Sequence, residues 1–208
     1  GFIGWYMVSS GLIDRVDVSH YRLSLHLFLA FIILSLIFWN YLKCRNINYS
    51  QDKIKNFLPI TFLLLIFIQI IIGAFVSGMD AGKIYNSWPL MGESYFPDDN
   101  VIANLFNLSV FNEPSLMQFV HRNLAYLIFF FYLLIFINVY KNKLSTFFKA
   151  TNIIGLLLFL QIVLGILTLL SGAQIFIASM HQISSIFLVS SSIYLVYLNF
   201  YSNLQPLD

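Results

Sequence analysis

Residues 57–78 read FLPITFLLLIFIQIIIGAFVSG, and this run decides the fold. It carries no charged side chain, and it is long enough to cross a hydrocarbon core of about 30 Å as a helix, which takes about 20 apolar residues. Working outward, Tyr21–Leu42, Gln118–Tyr140, Thr151–Ser171 and Ile175–Tyr201 repeat the pattern. The whole chain of 208 residues is 59% hydrophobic and 10% charged, outside the range of a water-soluble domain. Backbone polar groups find no water in lipid and must pair within the segment, so each run is read as a helix. The fold class is therefore an all-α polytopic membrane protein. Gly1–Leu12 is apolar too, but spans only about 18 Å at 1.5 Å per residue. We read it as the end of a sixth helix, and the chain as the C-terminal portion of a longer protein.

The loops set the orientation. Lys43, Arg45, Lys53 and Lys55 fall in one loop and Lys141, Lys143 and Lys149 at another, while Asp14, Asp17, Asp80, Glu93, Asp98, Asp99 and Glu113 lie at the other ends. Basic loops stay on the cytoplasmic side, so the acidic loops are expected outside and the C-terminus inside. A bacterial cytoplasmic membrane is the expected location, and a mitochondrial inner membrane satisfies the same topology. The lone Cys44 is an ordinary residue at the cytoplasmic edge. Nothing in the composition points to nucleic acid as a partner; the surrounding partner is membrane lipid.

A unit recurs three times. Ser10-Gly11, Ser77-Gly78 and Ser171-Gly172 each end an apolar run at the outward side, and each is followed by a loop and a helix with a histidine near its start: His26, His121 and His181. Gln69 precedes Gly73 by four residues, as Gln161 precedes Gly165, and Gly4 and Gly11 share the spacing of Gly165 and Gly172. These are helix-pair repeats of like orientation, related by an axis along the membrane normal. Two pairs of such units give about eight helices in the full-length protein, with 1–56 the remainder of an N-terminal half-bundle and 57–208 a C-terminal four-helix half-bundle.

An intramembrane histidine marks a function by default, although a single one also fits a hydrogen bond to a neighbouring helix. Three at matching depth point to a shared role. Imidazoles facing each other across a bundle provide axial ligands for haem iron, and no carboxylate or cysteine cluster accompanies them to suggest zinc or di-iron. Arg22 stands one turn before His26 and Arg122 directly after His121, where guanidinium groups fit a carboxylate such as a haem propionate or simply snorkel to the interface. His20 is read as a solvated loop residue. The outward segment from Gly78 to Met117 is long for a bundle. It carries Asp80-Ala81-Gly82 and Tyr85-Asn86-Ser87-Trp88-Pro89-Leu90-Met91, which fit either a lid over the site or an aromatic loop lying on the bilayer.

Taken together, several stretches resemble the haem A synthase family over nearly the whole chain. They are Gly4-Trp5-Tyr6-Met7-Val8-Ser9-Ser10-Gly11-Leu12, Val18-Ser19-His20-Tyr21-Arg22-Leu23, Leu25-His26-Leu27, Gly73-Ala74-Phe75-Val76, the two loop motifs just given, Gln118-Phe119-Val120-His121-Arg122, Ala125-Tyr126 and Met180-His181-Gln182. The resemblance implies eight transmembrane helices in two pseudo-symmetric halves. It also implies oxidation of the methyl group of haem O to the formyl of haem A by successive hydroxylations, with oxygen from water. It assigns a haem b and its iron to His121 and His181, and His26 to the substrate haem site, whose other histidine and catalytic acidic residue fall outside this chain. The fragment is thus expected to be inactive alone. Arg22, Arg122, Asp80, Tyr85, Asn86, Trp88 and Gln182 are expected to support the two sites, and haem O synthase is the expected partner. The histidines alone equally suggest a di-haem b-type, quinol-linked electron-transfer subunit, and the repeats alone a transporter. The loop motifs favour the synthase.

Overall fold

The computed structural model describes residues 1–9, 18–45 and 52–202. Within them the chain forms α1 (Phe2–Ser9), α2 (His20–Lys43), α3 (Phe57–Gly78), α4 (Pro114–Lys141), α5 (Ser145–Leu170) and α6 (Ile175–Phe200). Helices α2 to α6 are each long and apolar enough to cross a membrane. The expectation of an all-α polytopic bundle holds. The Ser10-Gly11-Leu12 motif and the acidic residues Asp14 and Asp17 lie outside the described residues.

Two helices start earlier than their apolar runs. α4 begins at Pro114 rather than Gln118, and α5 at Ser145 rather than Thr151. Hydropathy registers only the part of a helix that meets hydrocarbon, whereas the backbone ladder continues into the polar interface. Proline suits the first position of α4 because the N–H it lacks has no intrahelical partner there.

Consecutive helices pair as α1 with α2, α3 with α4, and α5 with α6. The last four helices also close into a ring in chain order, since α4 meets α5 and α3 meets α6. That arrangement sets α4 and α6 at opposite corners. α2 packs on the α3–α6 side of the ring. The apolar core divides in two. A large cluster including Phe62, Phe147, Ile154, Val189 and Leu195 fills the bundle, and a smaller one of Ile72, Phe75, Val110, Leu116 and Met117 lies where α3, α4 and the long loop meet.

The end away from the histidines is fastened by side chains from the segment before α3. Asp52 Oδ2 accepts from Thr146 N at 3.1 Å and from Thr146 Oγ1 at 3.0 Å, which places a carboxylate at the N-terminus of α5. The buried Asn199 of α6 accepts from Ile54 N at 2.7 Å and donates to Asn56 Oδ1 at 3.0 Å.

At the histidine end, the long connection between α3 and α4 is folded throughout. It contains short 3₁₀ turns at Ala81–Lys83, Ile102–Phe106 and Leu108–Asn112. Met91 is fully buried beneath it. His20 departs from its sequence reading: it is the first residue of α2, packed against Gly78, Tyr21 and Phe75, with Nε2 buried and unpaired. The sequence showed only its place before an apolar run, whereas the close approach allowed by Gly78 decides its burial.

Candidate functional site

Each of the three histidines lies six or seven residues into its helix, about 10 Å from the first residue at 1.5 Å rise. The preceding helix of each pair presents a glycine to the imidazole. A Cβ placed on Gly4 would lie 3.0 Å from His26 Cε1, one on Gly73 3.1 Å from His121 Cε1, and one on Gly165 3.2 Å from His181 Cε1. These contacts are tighter than nearly all real Cβ contacts, so glycine is what lets each imidazole edge lie against bare backbone without being displaced. The repeat seen in sequence is thus a physical device: a helix pair with a histidine seated on a glycine.

One turn before that glycine, the glutamine fixes the histidine's main chain. Gln69 Nε2 donates to His121 O at 3.0 Å, and Gln161 Nε2 donates to His181 O at 3.0 Å. In sequence both glutamines are visible only as register marks four residues before a glycine, a spacing that signals the role without showing the partner. Ser184, buried beside Gln161, was missed altogether; it accepts from Gln161 Nε2 at 2.8 Å and donates to His181 O at 3.0 Å.

His121 and His181 are borne by α4 and α6, the helices at opposite corners of the ring. Nδ1 of each is buried with no protein partner, as are Gln69 Oε1 and Gln118 Oε1. Buried polar atoms are nearly always paired, so an unpaired ring nitrogen on each imidazole marks a place for a partner from outside the protein. The donor set fits haem: two imidazoles on facing helices, each with its main-chain carbonyl held by a glutamine of the preceding helix.

Arg122 serves the loop. Its NH1 donates to Ser87 O at 3.0 Å and Leu90 O at 3.2 Å, and its NH2 to Tyr85 O at 3.1 Å; Gln118 Nε2 shares the Tyr85 carbonyl at 3.0 Å. The stretch Tyr85–Leu90 is therefore clamped onto α4 one residue beyond His121. Asn86 Nδ2 donates to Gly82 O at 2.8 Å and to Leu169 O at 2.9 Å, tying the same stretch to the end of α5. Within the loop the Tyr85 hydroxyl donates to Asp99 Oδ1 at 3.0 Å. Desolvation, with the donation to Asp99 second, raises the Tyr85 pKa above its ordinary value.

The remaining predicted residues are not drawn into this cluster. Asp80 adopts a left-handed turn conformation (φ 53°) and forms an exposed ion pair with Lys83 at 2.8 Å. Gln182 is exposed beside His181, and Trp88 is 46% exposed on the loop surface. Arg22 lies with its guanidinium 5.3 Å from the Tyr6 ring centroid, and its NH1 is buried without a hydrogen bond. It stays with His26 and α1, apart from the Arg122 clamp.

The fold and site define a class: a multi-pass helical membrane protein built of helix pairs, each seating a histidine on a glycine. The chain belongs to the cytochrome oxidase assembly protein family, whose model matches residues 1–193. Among its relatives, "Heme A synthase" of Pelagibacter ubique (strain HTCC1062) is 48% identical over 199 residues, covering 96% of this chain and 59% of that protein. The protein of the same name from Rickettsia felis is 40% identical over 197 residues, 91% of this chain and 58% of its own length. That from Rickettsia prowazekii is 38% identical over 200 residues, 95% and 60%. The chain thus spans about three-fifths of the curated relatives it matches.

Proposed function

We propose that this chain is the portion of a haem A synthase that carries a bis-histidine haem site at His121 and His181. The observation that supports this best is the repeated cradle: each histidine seated on a glycine, anchored through its carbonyl by a glutamine, and left with a buried unpaired ring nitrogen. The relatives named above carry the name of the activity, and the sequence motifs agree with it.

In this reading the whole protein is an oxidoreductase that converts the methyl group of haem O to the formyl of haem A by successive hydroxylations, for cytochrome c oxidase. A haem b held by His121 of α4 and His181 of α6 would supply one-electron transfer. The protein's own residues do the rest. His121 and His181 hold the iron, and Gln69 and Gln161 fix the main chain behind them. Gly73 and Gly165 allow the imidazoles to sit close to the preceding helix. Arg122 and Asn86 pin the stretch Tyr85–Leu90 over the histidine end. His26, with Arg22, belongs to the substrate haem side within 1–56, while 57–208 forms the haem b side. The histidine end faces outward, the C-terminus lies in the cytoplasm, and haem O synthase supplies the substrate.

Two measurements on the full-length protein test this. Expressed with a source of haem O, it should produce a formyl haem separable by chromatography. His121→Ala and His181→Ala should each remove the haem b spectrum from the purified protein. Unchanged haem b content in both variants would sink the site assignment.

A further inference from the structure

The two haem-side repeats differ at one point. A glutamine amide nitrogen carries two hydrogens. In the α5–α6 pair both are directed away from the ring, one to His181 O and one to Ser184 Oγ. In the α3–α4 pair the residue three after the histidine is Leu124, which offers no acceptor. There Gln69 Nε2 donates to His121 O and also lies 3.3 Å from His121 Nε2.

The carbonyl determines which way the Gln69 amide faces, because turning it over would set Oε1 against His121 O, two acceptors in contact. The group opposite His121 Nε2 is then a donor, and Nε2 must accept. A neutral imidazole carries one N–H, so the proton sits on Nδ1. While this contact holds, the Nε2 lone pair of His121 is engaged by Gln69 and is not open to a metal. Moving the proton to Nε2 would oppose two donors. Gln161 directs both amide hydrogens to His181 O and Ser184 Oγ and imposes no such competition.

We propose that Gln69 is a positioning residue that makes His121 the exchangeable ligand of the haem site, with His181 the fixed one. This rests on the bis-histidine reading above. When His121 leaves the iron, the Gln69 N–H takes up its lone pair. A hydrogen bond of ordinary net strength shifts that equilibrium by roughly 2- to 10-fold.

Carbon monoxide titration of the reduced, haem-loaded, full-length protein reads this directly, since the gas binds only where a histidine has left. Gln69→Met keeps chain length but no donor, and should lower the apparent carbon monoxide affinity by roughly 2- to 10-fold. Leu124→Ser gives α4 the hydroxyl that α6 has in Ser184. It should draw off the second N–H and have the same effect while leaving the bond to His121 O in place, so it stands even if Gln69→Met folds poorly. Ser184→Ala frees the second hydrogen of Gln161 and should raise the affinity. Unchanged or increased affinity in Leu124→Ser overturns the proposal. Retention of haem b by His121→Ala and His181→Ala would instead overturn the site reading, and it is scored by haem content independently of the titration.

Discussion

Replacing Gly73 by alanine tests the cradle most directly. A methyl there would sit 3.1 Å from His121 Cε1, so the ring must move by a few tenths of an ångström to regain ordinary contact. Glycine-to-alanine exchange inside a helix is worth up to about 1 kcal/mol in favour of the helix. Forcing an extra methyl into a packed site costs about 1–3 kcal/mol. The balance is a loss of roughly 0–2 kcal/mol, so Gly73→Ala should unfold no more than about 8 °C below the parent in detergent. The haem ligand, however, is displaced, and supporting-residue changes of this kind cost about 10- to 100-fold in metal affinity. The expected result for the full-length protein is at most this loss of thermal stability, with lowered haem b content and an altered low-spin spectrum. Gly165→Ala should behave alike through His181. Gly82→Ala, whose Cβ would meet Ala173 Cβ at an ordinary 3.4 Å, is the control. Parent-like haem content and spectrum in both Gly73→Ala and Gly165→Ala would refute the reasoning.

Three further outcomes follow from the packing. The Tyr132 hydroxyl of α4 lies directly over Gly155 of α5, so Gly155→Ala should destabilise by about 1–3 kcal/mol, with Tyr132→Phe in the same chain recovering part of the loss; thermal unfolding of the single and double variants measures the coupling. Arg122→Ala removes three donations to the loop and should raise hydrogen exchange at residues 85–90, leaving the midsections of α3 and α5 as protected as in the parent. The raised pKa of Tyr85 favours its neutral form in the folded protein, so the link to Asp99 is fully present below the ordinary tyrosine pKa of about 10 and is lost only as pH rises through the higher folded value. Ultraviolet titration should show one fewer late-ionising tyrosine in Tyr85→Phe than in the parent.

Much of the architecture was legible in the chain itself. Five apolar runs gave five spanning helices, because lipid allows one local solution for a backbone that must pair its own polar groups. The repeat of glycine and histidine was visible as spacing, because one residue type at one register suits the close approach. The helix ends at Pro114 and Ser145 were less visible, since the interface tolerates polar and apolar residues alike. His20 was misjudged because its burial depends on Gly78, distant in sequence.

Local composition and period thus set lipid as the solvent, the five spanning runs and the histidine on each helix pair. Which residues touch across the bundle came from helix packing alone. It put α4 and α6 at opposite corners, bound Gln69 and Gln161 to the carbonyls of His121 and His181, and gave the Arg122 guanidinium to loop carbonyls rather than leaving it for a ligand. Such pairings join residues 20 to 52 positions apart, and no periodicity along one helix encodes a hydrogen bond made across the gap between two.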